Sequence, residues 1–226
     1  MHDIDTVLIY EKYKKILEEE RQKVIDKTYS VRTRPPPVKT LKAYMLRKAV
    51  DGRLYPLFVG NEALPIGIWL DAAEGREAAR SKTGRRRVKS SLGDLSYRPG
   101  WHAGDIPLAT HIGLKNEQGK IYARRRNEVW AEVLIAADIN YQSEAGPNGL
   151  DRVPVDGFYR FKTNLSMTGD WIISGSCKIM RILTQDEVDE IVLAAGYEPM
   201  PWQDGRLDLQ SLGFDSKRIY DEETTR

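Results

Sequence analysis

Pro35-Pro36-Pro37 is the feature that most constrains this chain. Successive prolines exclude helix and hold the backbone extended, so the parts on either side of them have to be built separately. Those parts also differ in hydrophobic period. From about Ile4 to Lys27 there is neither Gly nor Pro, and Ile9, Tyr13, Ile16, Leu17 and Val24 recur near helical spacing. This predicts a long amphipathic helix with a thin apolar stripe, either docked on its own domain or used for self-association. After the prolines the period becomes that of strands. Residues 41–50 and 53–59 flank Asp51-Gly52, a dipeptide suited to the tight turn of a β-hairpin. Pro56 cannot donate to a strand ladder, so the second strand is expected at an edge or a bulge.

Further strands are expected at residues 65–70, 128–136, 157–163, 170–175 and 177–183, with a polar, basic loop over 71–91. Thr184-Gln185-Asp186-Glu187 is a capping box. It predicts a short helix through about Ala195 that stops at Gly196. Beyond Tyr197 the chain is polar and weakly patterned. The expected organisation is an N-terminal helix over 1–34, a pocket-bearing domain over 38–197 and a polar C-terminal tail over 198–226. The expected class is α+β: a long N-terminal helix, then a mostly antiparallel sheet, split or continuous, with few short helices.

The 35 basic and 33 acidic residues give a net charge of +2, so the sum says nothing of nucleic acid, but the distribution does. Between Arg76 and Lys89 seven basic residues face the single acid Glu77, and two arginine triplets stand out, Arg85-Arg86-Arg87 and Arg124-Arg125-Arg126. Each triplet is either solvated surface or a set of phosphate contacts. Cys177 is the only cysteine, which excludes an intrachain disulfide and fits a reducing compartment. The acidic opening lacks the basic start of a signal peptide, and no apolar run approaches the ~18 residues of a membrane span. A cytoplasmic protein without membrane contact is expected. No metal site is expected, because one cysteine and three scattered histidines supply no ligand set.

The segment Ser96-Tyr97-Arg98-Pro99-Gly100-Trp101-His102-Ala103-Gly104-Asp105-Ile106-Pro107 is dense in ring and polar chemistry. Prolines and glycines around stackable side chains suit a preformed small-molecule pocket. His102 either caps a turn or donates hydrogen bonds to a polar ligand, and Trp101 either fills the core or stacks on a flat ring. Glu132 lies in the strand at 128–136, on the face opposite Val129, Ala131, Val133 and Ile135. It is either a solvent-facing acid or a carboxylate at a pocket floor. Phosphate-binding and nucleophile motifs of the familiar kinds are absent.

The block from Lys89 to Pro107, with Glu128 to Glu132 and Arg152 to Arg160, resembles an uncharacterised domain of phages and mobile elements, found also in their large polyvalent proteins. The resemblance covers about residues 41–197. It implies host takeover or counter-defence inside a bacterial host, acting on a host macromolecule, either protein or nucleic acid. Trp101-His102 also resembles the Trp-His-Gly opening of one branch of the ADP-ribosyltransferases, with Ala103 in place of the glycine. That resemblance implies NAD as cofactor, held by Trp101 with Tyr97, Arg98 and Arg47, and His102 and Glu132 as catalytic residues. The other function expected is a non-enzymatic protein that engages nucleic acid, or a complex bound to it, through the two arginine triplets.

Overall fold

The structure is a computed structural model that describes residues 14–15, 29–74, 77–80, 86–90, 93–147, 149–162 and 168–214. Its strands are β1 (Tyr29–Val31), β2 (Thr40–Val50), β3 (Arg53–Tyr55), β4 (Trp69–Ala72), β5 (Glu77–Arg80), β6 (Arg86–Ser90), β7 (Gly93–Ser96) and β8 (Trp101–Gly104), then β9 (Leu114–Lys115), β10 (Ile121–Ala123), β11 (Glu128–Ala136), β12 (Ile139–Asn140), β13 (Gly157–Phe161), β14 (Trp171–Ser174) and β15 (Ser176–Ile182). One helix, α1 (Gln185–Ala194), follows them. A ten-stranded sheet runs in the order β1-β4-β15-β11-β2-β8-β14-β13-β12, with β3 paired to β2. Its pairs are antiparallel except β12 with β13. β5, β6 and β7 form a separate three-stranded sheet, and β9 with β10 a small hairpin.

The α+β expectation is overturned, since strand accounts for 40% and helix for 7%, and the named helix among the described residues is the short one at Gln185–Ala194. Of the expected N-terminal helix, residues 4–13 and 16–27 lie outside the described residues, and Lys14 and Lys15 are helical. The end of that unit is strand: β1 pairs with β4 from Tyr29↔Ala72 to Val31↔Leu70. Tyr-Ser-Val is an aromatic and β-branched run that favours a pleated surface, so the prolines divide two strands and not a helix from a sheet. The expected basic loop over 71–91 contains the end of β4, all of β5 and all of β6.

The hairpin turn forms as expected, with Asp51 at φ 49° and Gly52 at φ 69°, the left-handed pair of a type I′ turn. The capping box is complete, with Thr184 and Glu187 exchanging side-chain-to-backbone hydrogen bonds. The expected C-terminal tail is corrected over its first part, because Trp202, Leu207 and Phe214 are buried in the main core. Trp202 Nε1 donates to the Glu128 carbonyl at 2.7 Å, and the Arg124 main chain brackets the same residue through Pro201 and Gln203.

The large sheet is rolled. β14 ends at Ser174 and β15 begins at Ser176, yet β11, β2 and β8 stand between them in the sheet. Four strand spacings in a flat sheet come to about 19 Å, whereas two residue steps reach about 7 Å. The two ends of the order therefore curl together. Trp101 on β8 accordingly donates from Nε1 to the Leu70 carbonyl on β4 at 3.1 Å, and its ring lies 5.9 Å from Tyr29 on β1. Gly175 is the corner where one continuous strand passes from one half to the other. A Cβ there would collide with the Pro154 carbonyl and lie 3.0 Å from Val155 Cα, so only glycine fits.

The roll gives the sheet an inner and an outer face. The inner face carries Ala43, Met45 and Arg47 of β2, Trp101 and Ala103 of β8, Val129, Ala131, Val133 and Ile135 of β11, and Cys177 and Ile179 of β15, all buried. A second, smaller core of Tyr141, Leu150, Tyr159 and Ile173 packs beside β13 and β14, with Phe161 and Trp171 against it.

Candidate functional site

Consecutive residues on a strand point to opposite faces, and this decides the Trp-His pair. Trp101 goes inward, where the Arg47 guanidinium lies 5.7 Å from its ring. His102 goes outward with Ile173, its register partner, and meets the Trp171 ring edge-on at 6.0 Å. His111 meets the same ring from another side at 5.3 Å. His102 Nδ1 is 3.1 Å from the Gly100 carbonyl. A carbonyl only accepts, so Nδ1 carries the proton. Burial pushes the imidazole down to about 4; the Gly100 carbonyl opposes this, and the charges of Arg98 and Arg47 add to it. His102 is therefore neutral at pH 7. Gly100 has φ 136°, and a Cβ there would meet Ile173 Cγ2 at 2.7 Å, so the turn into β8 requires glycine.

Glu132 points outward from β11, opposite Tyr44 and Arg181. Its Oε2 pairs with Lys42 Nζ at 2.9 Å and Arg181 Nη2 at 3.3 Å. Tyr44 stands in register with both Glu132 and Gly104, so the strand of Tyr44 separates Glu132 from His102 on the outer face. The structure thus brings Arg47 to Trp101 inside and puts His102 and Glu132 outside, on different strands. The expected cleft lined by Trp101, His102 and Glu132 is corrected, since strand alternation and the intervening β2 divide these residues.

Tyr97 and Arg98, expected beside a cofactor, belong elsewhere. The Tyr97 ring is buried under the Arg86 guanidinium at 3.9 Å, and its hydroxyl donates to Glu74 Oε2 at 3.4 Å. Arg98 lies 4.2 Å from the Phe161 ring, and Arg152 lies 5.0 Å from that of Tyr141. Arg86 Nη1 also donates to the Asp151 carbonyl at 3.1 Å, which ties β6 to the loop carrying Arg152.

The two arginine triplets separate. Arg85 lies outside the described residues, while Arg86 and Arg87 open β6. The β5–β6 register puts Arg80 opposite Arg86 and Ala79 opposite Arg87. In the second triplet Arg124 is 1% exposed, which corrects its expected contact with nucleic acid. Its Nη1 donates to the Ile112 carbonyl at 2.7 Å, and its guanidinium lies 5.4 Å from the Trp130 ring. Burial pulls it down to about 10, with Glu128 acting in the opposite sense. Arg125 pairs with Glu128 at 2.6 Å and the exposed Arg126 with Asp204 at 3.4 Å.

Neither a family model, nor a curated protein, nor a solved structure matches this chain. Among the described residues no group of three or more His, Cys, Asp or Glu could hold a metal ion, and no helix is long and apolar enough to cross a membrane. Cys177 is buried, and burial pushes its thiol up to about 12, so it is not a thiolate at neutral pH.

One polar cluster had no signal in the sequence. Arg32 Nη1 reaches Asp71 at 3.0 Å, Asp156 at 2.7 Å and Ser176 Oγ at 3.1 Å. Arg34 bridges the same two aspartates at 3.1 and 2.7 Å. Burial works to raise the Asp71 carboxyl, but hydrogen bonds from Ser176, Arg34 and Arg32 outweigh it and hold that carboxyl below its ordinary value. The cluster has two charges of each sign and fastens the chain after β1 over the Gly175 corner.

Proposed function

We propose that this protein binds nucleic acid through the basic hairpin of β5 and β6. The observation that carries this reading is the register of Arg80 against Arg86. Residues in register across a strand pair are close neighbours, so β5 and β6 gather basic positions on one pair of strands. Residues 80–89 hold six basic side chains (Arg80, Lys82, Arg85, Arg86, Arg87 and Lys89) and no acid. With a total of +2, the remaining residues sum to 2 − 6 = −4. The cationic charge is therefore concentrated in one stretch of an otherwise acidic chain, a distribution that steers a polyanion to it.

The neighbouring surface supports the same reading. Arg86, Arg98 and Arg152 each lie over an aromatic ring, and guanidinium and aromatic planes are what unpaired bases stack on. The test is fluorescence anisotropy with a labelled oligonucleotide across a salt series, using wild type and a variant with Arg85, Arg86 and Arg87 all changed to Ser. Wild type should bind with an affinity that falls steeply with salt, and the triple variant should lose about two to three units of that log–log slope. Equal affinity in the two proteins, or no binding at low salt, overturns the reading.

A further inference from the structure

Arg86, Arg98 and Arg152 come from three separate segments, and Arg86 draws them together. Its guanidinium lies 3.9 Å from the Tyr97 ring, and Arg98 is the next residue along. Its Nη1 donates to the Asp151 carbonyl at 3.1 Å, and Arg152 is the next residue there. Neighbouring Cα atoms are only about 3.8 Å apart, so the three arginines gather where β6 meets the second, smaller core. Arg98 lies over Phe161 at 4.2 Å and Arg152 over Tyr141 at 5.0 Å.

The rings beneath them are fixed. Tyr97 and Tyr141 are buried, and Phe161 packs against the second core. The Tyr141 hydroxyl donates to the Val155 carbonyl at 3.0 Å, and Glu144 holds Arg152 at 2.6 Å. The arginines themselves are reachable, since Arg152 is exposed and Arg86 and Arg98 are half-buried. Each therefore offers a planar group backed by a ring, on a surface next to the basic hairpin. A phosphate needs only a positive charge, which a lysine supplies as well. A backed plane suits a flat partner. In a duplex the bases cover one another and show only their edges in the grooves, whereas an unpaired base presents its face to aromatic rings and guanidinium planes.

We propose that the nucleic acid is single-stranded, with its phosphates along the basic hairpin and its unpaired bases stacked on the guanidinium planes of Arg98 and Arg152. This inference rests on the hairpin reading and names the class of strand that the site takes. Charge alone would favour the opposite choice, because a duplex is the denser polyanion and releases more counter-ions per contact. A preference for the single strand therefore reports stacking.

The experiment is fluorescence anisotropy of the full chain at one salt concentration with three labelled probes. They are a mixed-sequence single strand, the same strand annealed to its complement, and an abasic strand with the same number of phosphates. The single strand should bind at least about tenfold tighter than either of the others. Arg152→Lys and Arg98→Lys keep the charge and remove the plane, and each should lose about tenfold on the single strand with the salt slope retained. A duplex or an abasic strand that binds within tenfold of the single strand overturns the inference on wild type alone, whatever the stability of the variants. The hairpin reading survives that result if the binding is still lost in the Arg85–Arg87 serine variant. No binding of any probe overturns both. Single-strand affinity unchanged in Arg152→Lys and in Arg98→Lys overturns the stacking inference as well.

Discussion

Arg85-Arg86-Arg87 and Arg124-Arg125-Arg126 are the same three letters, and the fold gives them different surroundings. Arg86 and Arg87 open a strand of a small outlying sheet, in register with Arg80 and Ala79. Arg124 is buried against Trp130, and its two neighbours pair with Glu128 and Asp204. The difference arises outside the triplets. Glu128 is placed four residues beyond Arg124 at the start of β11, and Trp202 arrives from the far end of the chain to bury both. The first triplet meets different neighbours: Arg86 lies 3.9 Å from the Tyr97 ring and donates to the Asp151 carbonyl, and residues 80–89 contain no acid. A run of like charge is therefore defined by what the fold brings to it.

The largest effect that tests this contrast is on stability. Arg124→Ala removes a buried side chain and strips the Ile112 carbonyl of its donor, so it should cost about 3–4 kcal/mol in denaturant unfolding. A cost near zero would place Arg124 with the solvated arginines. Next comes acid. His102 is held near 4 against an ordinary 6.5, so the unfolded chain takes up this proton first. The contribution is complete above about pH 6.5 and is lost as pH falls towards 4, amounting to as much as about 3 kcal/mol at 1.36 kcal/mol per unit. His111, lowered by burial and then by Arg124, adds with the same sign. In Arg124→Met the His111 imidazole should titrate closer to 6.5 by NMR, while the hairpin variant leaves both histidines unmoved.

Third, the triple hairpin variant should lose tenfold to a hundredfold in oligonucleotide affinity at low salt, with a smaller stability cost than Arg124→Ala, from the lost Arg86 contacts to Tyr97 and the Asp151 carbonyl. A destabilised hairpin variant with intact binding would reverse the assignment of the two triplets. The smallest effect belongs to Arg126→Ala. Its pair with Asp204 is exposed at 3.4 Å, so stability should move by no more than about 0.5 kcal/mol.

The features legible in the sequence are those whose cause is local. Asp51-Gly52 sets its turn by backbone conformation, Thr184 and Glu187 cap their helix three residues apart, and residues 128–136 are rich in strand formers, with Val129, Trp130, Val133 and Ile135. Distant partners left no such trace. Arg32 and Asp156 are 124 positions apart, and the burial of Trp202 depends on Glu128. β5 and β6 are spelled largely with Ala, Arg and Lys, residues with no preference for strands, which is why a basic loop was the expectation. At the Trp-His pair the signal was available. Once those residues are placed on a strand, alternation alone sends Trp101 and His102 to opposite faces. The register that separates Glu132 from His102 required the order of β11, β2 and β8, which only the folded sheet supplies.

Gly175 has a consequence for how the molecule comes apart. The chain from Trp171 to Ile182 pairs on one side of that residue with β8 and β13, and on the other with β4 and β11. Neither half can shed its share of this strand without dragging the other, so the rolled sheet has no seam along which to open in stages. Such a chain melts as one cooperative unit, and its slowest-exchanging amides should be found together on both sides of a single glycine.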